Sequence, residues 1–472
     1  MIVDAQHLKD QLPGRRWFGG KGRALRGARV VDESVVEDGP PALTFALVEV
    51  EFEDGERNLY HMPLLVEGDG TPRDAFDDVE RLRGIGELMA HGHTVKGENG
   101  AFHFGGPGLD PLAPPGGDAI RAMGAEQSNS SLVLDEDVIV KFFRRIEAGT
   151  NPDLELNRLL TNEGFPHIPP QVGEIIYEGE LEGEEISFDL GIAQRFVGDA
   201  PEGWSEVLRH VHLVFNAVHP EDAREDIGAL TEERNAEILE RLEQLGDVTA
   251  SLHVTLSREE AGFDFTPEPI TPGDISSWAS AVRDSLRALL VGGTEELAPL
   301  KDAIGNRIAE FSKLDGDVGT KTRVHGDYHL GQVLLATRDW LIIDFEGEPA
   351  RPLEQRRKKQ PPLRDVAGML RSFSYASLVP LMERGNGDTD ALRPWAEEWE
   401  KLARDAFLSG YLRTAHEGHF LPADRYVLMT MLDFFELEKA IYEVGYERGH
   451  RPHWISIPLS GISRIIERGE QR

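Results

Sequence analysis

Apolar positions follow two different periods along this chain. Up to about residue 200 they alternate with polar ones in short runs, and beyond it they recur every three to four residues over long stretches. Alternation runs through 42–52 and 59–66, bounded by Asp38-Gly39-Pro40-Pro41 and Glu53-Asp54-Gly55, so residues 1–88 read as short strands and turns. Residues 105–118 are rich in Gly and Pro and read as loop. Further strands are predicted at 131–134, 137–143, 174–177 and 186–196. One helical pattern interrupts them, opened by Asn151 and Pro152 as N-cap and first-turn residue and closed by Gly164. Amphipathic helices are predicted at 203–218, 231–255, 274–290, 295–314, 363–383, 394–416 and 422–448, with a strand pair at 333–337 and 340–345 embedded among them. A strand-rich front followed by a helical back implies α+β lobes with a cleft between them.

Composition narrows the function classes. A chain of 472 residues suggests about three structural units. With 40% hydrophobic and 28% charged residues it can build a large core. Its 84 acidic against 50 basic residues leave a formal charge of −34, which argues against a nucleic-acid or anionic-membrane binder. The absence of cysteine excludes disulfides, thiolate zinc sites, iron–sulfur clusters and a cysteine nucleophile. The first residues lack the basic and apolar segments of a signal peptide, and no apolar run approaches the ~20 residues that span a bilayer. A soluble, cytoplasmic protein is expected.

Chemistry concentrates in Val324-His325-Gly326-Asp327-Tyr328-His329-Leu330-Gly331-Gln332 and, after a short strand, Leu341-Ile342-Ile343-Asp344-Phe345-Glu346. A phosphotransferase needs one carboxylate to orient and deprotonate the attacking hydroxyl, and an amide with a second carboxylate to hold Mg²⁺ against the phosphates. Asp327 and Gln332 have the five-residue spacing of a kinase base and its metal-binding amide, and Asp344 ends an apolar strand where a metal-binding Asp belongs. Upstream, Val138-Ile139-Val140-Lys141 has the form of the strand lysine that meets the α- and β-phosphates, and Glu155, in the first turn of the following helix, is its expected partner. There is no G-x-G-x-x-G; the hairpin before the lysine strand offers Ser128, Asn129 and Ser130 to phosphate instead. Gln194, Phe196 and Val197, at the passage from strand to helix, are candidates for an interlobe hinge against adenine.

These runs resemble the maltokinases of the actinobacterial type, within the aminoglycoside-phosphotransferase-like group. So do Gly347-Glu348-Pro349-Ala350-Arg351-Pro352, Pro362-Leu363-Arg364-Asp365-Val366-Ala367-Gly368-Met369-Leu370-Arg371-Ser372-Phe373, the early Arg16-Trp17-Phe18-Gly19-Gly20-Lys21-Gly22-Arg23 and the late Lys439-Ala440-Ile441-Tyr442-Glu443 with His450-Arg451-Pro452. Tyr328 departs from the expected Leu. The resemblance covers essentially the whole chain. It implies a bilobal protein-kinase-like fold with a cap at 1–88, an N-lobe at 89–197 and a helical C-lobe at 198–472. The implied reaction converts maltose and ATP, with Mg²⁺, to maltose 1-phosphate for α-glucan (glycogen) synthesis. Association with trehalose synthase or maltosyltransferase pathway enzymes is also implied.

By the same resemblance Asp327 is the base, Gln332 and Asp344 bind Mg²⁺, Lys141 and Glu155 position the nucleotide, and Asp365 anchors the catalytic loop through His325. A sugar site beside Asp327 needs polar forks and an aromatic platform. His329, Glu346, Lys439, Tyr442, Glu443, Tyr446, Arg451 and Trp454 are the candidates, with Phe435, Lys439, Tyr442 and Tyr446 on one helix face. Such a stripe also suits a core. Arg356-Arg357-Lys358-Lys359 reads as a solvated loop, and a zinc site at His325 and His329 is disfavoured because they lie on a loop without a following Glu. Kinases of the same fold acting on glucosamine or an aminoglycoside, a metal-dependent phosphohydrolase and a non-catalytic pseudokinase are the alternatives.

Overall fold

The computed structural model describes residues 3–105, 119–124, 128–181, 183–218, 226–258, 262, 264–337, 339–348, 351–384 and 389–470. Most of the loop expected at 105–118 therefore lies outside the described residues. The chain forms two compact units: Met1–Gly164 with Ile168–Asp199 and Pro349–Arg356, and Phe165–His167 with Ala200–Glu348 and Arg357–Arg472.

The first unit opens with helix α1 (Ala5–Gln11), capped by the Asp4 carboxylate on the backbone N–H of Gln6. Strands β1 (Leu25–Glu37), β2 (Ala42–Phe52), β3 (Arg57–Val66) and β4 (Pro72–Asp74) then form an antiparallel meander, followed by helix α2 (Ile85–Ala90). Alternation in β2 has a direct consequence. Leu43, Phe45 and Leu47 enter one core, whereas Ala46, Val48, Val50 and Phe52 enter another that also holds Leu8, Leu12, Trp17 and Phe18, so the sheet is covered on both faces. Strands β5 (Thr94–Lys96), β6 (Gly100–Phe104), β7 (Ile120–Ala122), β8 (Asn129–Leu134) and β9 (Val138–Phe143) follow, with β10 (Arg145–Ile146) returning to pair with β3. After helix α3 (Pro152–Asn162) come β11 (Gln171–Leu181) and β12 (Glu184–Arg195), which complete a seven-stranded sheet in the order β5-β6-β11-β12-β9-β8-β7. The first core continues across both sheets of this unit.

The second unit is mainly helical. It contains α4 (Gly203–Ala217), α5 (Ile227–Leu256), the short pair β13 (Glu268–Pro269) and β14 (Thr320–Lys321), α6 (Pro272–Val291) and α7 (Lys301–Phe311). Next is the hairpin β15 (Val333–Ala336) and β16 (Asp339–Ile342); the one-turn helix α8 (Leu353–Arg356) belongs to the first unit. Helices α9 (Leu363–Glu383), α10 (Thr389–Ala415), α11 (Arg425–His450) and α12 (Ser456–Glu470) close the chain. Several elements differ from expectation, three of them for reasons visible in the structure. Asp226 caps α5, which starts at Ile227, four residues before the predicted start. Pro299 keeps 295–300 in a 3₁₀ turn, so the α-helix begins only at Lys301. α12, unpredicted, buries Ile457, Ile462, Ile465 and Ile466. No helix among the described residues is long and apolar enough to cross a membrane.

Candidate active site

In the first unit β9 lies between β8 and β12, and Lys141 stands opposite Ser131 and Ile192. Its ammonium donates to Asp153 Oδ2 at 3.0 Å. Asp153, two residues before the expected Glu155, is buried in the first turn of α3. Asp153 is held in turn. Its N–H donates to the Asn151 cap at 2.9 Å, and Asn157 Nδ2 donates to its Oδ1 at 2.9 Å. Gln194 Nε2 completes the chain by donating to Asn157 Oδ1 (3.0 Å) and to the Pro169 carbonyl (3.1 Å). The side chain proposed for the hinge thus braces α3.

The nucleotide-side candidates have local partners of their own. The Phe196 N–H donates to the Asp137 carbonyl at 2.7 Å. Ser128 is exposed and Asn129 buried, while Ser130 Oγ accepts from Arg144 Nε at 2.8 Å. Arg144 is fully buried, pairs with Asp74 at 2.9 Å and lies under the rings of Trp17 and Phe76; Trp17 Nε1 donates to the same carboxylate at 3.2 Å. The conspicuous Trp17 motif is therefore a packing element tied to β9.

Asp189 accepts the Asn151 N–H at 2.6 Å, and burial lifts its carboxyl to about 6. An Asp with a raised folded-state value carries no penalty below about pH 4, where both states are protonated, and the full penalty above about pH 6. Stability from this group is therefore lost as pH rises between those limits. Asp189→Asn is expected to match wild type in thermal melts at pH 4 and to exceed it at pH 7 by up to about 3 kcal/mol. Equal gaps at both pH values would contradict this.

In the second unit the loop before β15 is fixed from beneath. Asp365, in the first turn of α9, accepts the N–H of His325 (2.8 Å) and of Gly326 (3.0 Å) on its two oxygens. Its anchoring thus runs through backbone amides. His253 of α5, fully buried, donates from Nε2 to Asp365 at 3.1 Å while Nδ1 accepts from Tyr411 at 3.0 Å. Burial opposes the Asp365 charge, yet His253 and the two amides hold its carboxyl below the usual range. His325 Nε2 donates to the Ile343 carbonyl at 2.9 Å, linking the loop to the strand end that carries Asp344. Tyr328, the departure from the family pattern, is buried and meets Thr249 Oγ1 at 2.9 Å. α9 can approach the loop because residue 368 is Gly: a Cβ there would lie 2.5 Å from the Tyr328 carbonyl oxygen.

Asp327 and Gln332 emerge from this frame. Gln332 Nε2 donates to Asp344 Oδ2 at 3.1 Å, and the Gln332 backbone carbonyl accepts the Ile343 N–H at 3.0 Å. Asp344 sits at φ 68°, a left-handed conformation that Asp tolerates better than most residues and that turns its carboxylate off the strand. An amide and a carboxylate side by side form an oxygen-rich pair suited to a hard divalent cation. Lys439 of α11 reaches Asp327 Oδ1 at 3.4 Å. Burial works against its charge, but Asp327, Glu443 and Glu348 outweigh it and hold the ammonium above its ordinary value.

The stripe on α11 divides along its length. Phe435 is core, packed on Phe311 and Trp278. Tyr442 and Tyr446 are 46% and 43% exposed, with ring centroids 6.5 Å apart, and the ladder continues to His450 at 4.4 Å. Arg451 lies over Tyr446 (5.5 Å) and Trp454 (4.1 Å). Burial and the Glu348 carboxylate push the Tyr442 hydroxyl up to about 12. Two sugar candidates each have one atom engaged within the protein. Glu443 Oε2 accepts from Arg371 at 2.8 and 3.0 Å, and His329 Nδ1 caps the following turn by accepting the Gly331 N–H at 3.0 Å. Glu346 is buried, two residues beyond Asp344. The basic run is ion-paired at the surface: Arg356 pairs with Glu147, Arg357 with Asp264 and Lys359 with Glu268, while Lys358 is exposed.

His253, Tyr411 and Arg371 were not foreseen. Arg371 lies in a run quoted for the family resemblance, but no role follows from it there; the general signal is a polar residue on the buried side of a helical period, and the partners lie 112, 158 and 72 positions away.

Comparison with known proteins bears on the fold and the family. Residues 12–94 match the model of the maltokinase N-terminal cap domain and residues 119–402 that of the phosphotransferase enzyme family. A glucosamine kinase from Streptacidiphilus jiangxiensis is 27% identical over 402 residues, 84% of each chain. One from Mycolicibacterium smegmatis is 24% identical over 355 residues, 74% of this chain and 80% of that protein. The solved structure of a glucosamine kinase in complex with glucosamine, ADP and inorganic phosphate superposes with a TM-score of 0.67 at 20% identity, over 98% of this chain and 100% of that one. A second crystal form of a glucosamine kinase gives 0.69 at 21% identity, over 94% and 95%. The chain belongs to the phosphotransferase enzyme family: it is a kinase-fold enzyme whose strand-rich front and helical back agree with the α+β, protein-kinase-like architecture expected from its sequence.

Proposed function

We propose that this phosphotransferase moves the γ-phosphate of ATP to the anomeric hydroxyl of maltose, giving ADP and maltose 1-phosphate for α-glucan synthesis in the cytoplasm. The observation that carries the reading is the acceptor surface on α11. Lys439 lies beside Asp327, and an exposed ladder of Tyr442 and Tyr446 leads from it toward Arg451 and Trp454. An extended aromatic surface with polar groups along its edge suits two linked neutral pyranoses. The maltokinase-type cap at 12–94 supports the same reading.

Asp327 accepts the proton of the anomeric hydroxyl as its oxygen forms the bond to the γ-phosphorus and the bond to the β-phosphate bridging oxygen breaks. Lys141, oriented by Asp153, neutralises charge on the α- and β-phosphates. Gln332 and Asp344 would hold Mg²⁺, which supplies charge neutralisation on the phosphates. Lys439 orients Asp327 and keeps a positive charge beside it. Association with trehalose synthase or maltosyltransferase pathway enzymes belongs to this proposal.

Glucosamine is the second reading, favoured by what the relatives are named and by the carboxylates Glu346 and Glu348 close to Asp344 in sequence. Initial rates with Mg-ATP and maltose, glucose, trehalose or glucosamine separate the two. The expected result is a kcat/KM for maltose at least about tenfold above that for glucosamine, a difference of about 1.4 kcal/mol in transition-state binding. The reverse order would transfer the assignment to the amino sugar.

A further inference from the structure

The surface carrying Lys439, Tyr442 and Tyr446 rests on buried charges that the proposed reaction does not use. The Arg371 guanidinium, buried in α9, donates from Nε and Nη2 to Glu443 Oε2 (3.0 and 2.8 Å) and from Nη1 to Ser374 Oγ (3.1 Å). Glu443 follows Tyr442 directly. One turn along both helices the contact repeats: the Tyr375 hydroxyl of α9 donates to the buried Glu447 of α11 at 2.9 Å, and Glu447 also accepts from Arg451 at 2.7 and 2.9 Å. Residues 371 and 375 therefore grip 443 and 447, two successive turns against two successive turns.

α12 covers this layer. A Cβ on Gly461 would lie 2.0 Å from Arg371 Nη1, so the helix lies directly against the guanidinium only because that residue has no side chain. Arg464 pairs with Glu400 at 2.8 Å, and Glu400 accepts from Ser374 at 2.6 Å; Arg468 pairs with Asp433 (3.1 Å) and Glu436 (3.2 Å) of α11. Buried ion pairs add little net stability, since desolvation cancels most of the attraction, but a misplaced partner leaves a buried charge unpaired. Rotating α11 by one residue, about 100°, would strand Glu443 and Glu447 together.

We infer that Arg371 and Tyr375 are positioning residues for the acceptor. They set the rotation of α11, and with it the direction of Lys439, Tyr442 and Tyr446, while α12 keeps the pairs dry. The inference rests on reading the α11 surface as the acceptor site. The test measures KM for sugar and for ATP in Arg371→Lys and Tyr375→Phe of the full chain, using whichever panel sugar wild type phosphorylates fastest. Arg371→Lys keeps the charge but loses the fork, so kcat/KM for the sugar is expected to fall about 10- to 100-fold through KM, with KM for ATP unchanged. Tyr375→Phe removes one hydroxyl and is expected to move the same quantity less; it decides the matter if the Arg371 variant is insoluble. Both KM values rising together, or neither moving in folded protein, would overturn the inference. Tyr442→Ala separates the two layers of the argument. An unchanged sugar KM there removes α11 as the acceptor surface, whereas a raised one with normal kinetics in Tyr375→Phe removes only the positioning role.

Discussion

Asp327→Asn is expected to reduce kcat by about 10³-fold while the affinity for ATP, read by nucleotide titration, stays within experimental scatter. The asparagine fills the same volume but cannot take the acceptor's proton. Its neighbourhood tolerates the change: Asp327 is partly exposed, and Lys439, its ion-pair partner, keeps the nearby carboxylates of Glu443 and Glu348. The loop is held independently, through the amides of His325 and Gly326 on Asp365. A loss of activity therefore reports chemistry rather than collapse. Unchanged turnover would remove Asp327 from the role of base and leave it as a partner for Lys439 alone.

Asp344→Asn is the second large effect. The left-handed backbone at this position, φ 68°, is one that Asn adopts as readily as Asp, so the substitution leaves the turn unstrained and removes only the charge. Gln332 keeps an acceptor for its amide N–H, so the local hydrogen bond can persist. What is lost is the anionic oxygen that would face a divalent cation. Activity is expected to fall by about 10² to 10³, and the Mg²⁺ concentration giving half-maximal rate to rise. Wild-type magnesium dependence in this variant would show that the metal is held elsewhere.

The parts of the site that could be read from the chain are those whose partners are close in sequence. Asp327, Gln332 and Asp344 lie within one loop and the hairpin after it, and their spacing alone suggests their geometry. Lys141 was legible as the end of a β-branched run, but its partner was not. Residues 153 and 155 both belong to the first turn of α3, and only the direction in which that turn faces β9 selects Asp153 as the hydrogen-bonded carboxylate. Glu443 and His329 had the chemistry of sugar ligands, yet Arg371 and the Gly331 amide engage them.

Fold boundaries divide the same way. β2 was visible as an apolar run that Glu49 and Glu51 punctuate, and each of its faces meets a different core. α12 was missed because its apolar residues come in a short run after Pro452 and its stability derives from tertiary contacts with α7, α9 and α11.

Phosphorus-31 NMR of the product formed from maltose and Mg-ATP tests the central assignment most directly. Transfer to the anomeric oxygen places the phosphorus next to a carbon bearing one hydrogen, so the account predicts a new ester resonance split into a doublet, growing as ADP appears. A triplet would mark a phosphate on a CH₂–O group and contradict the proposed acceptor atom. Free phosphate without a sugar ester would contradict the transfer reaction itself.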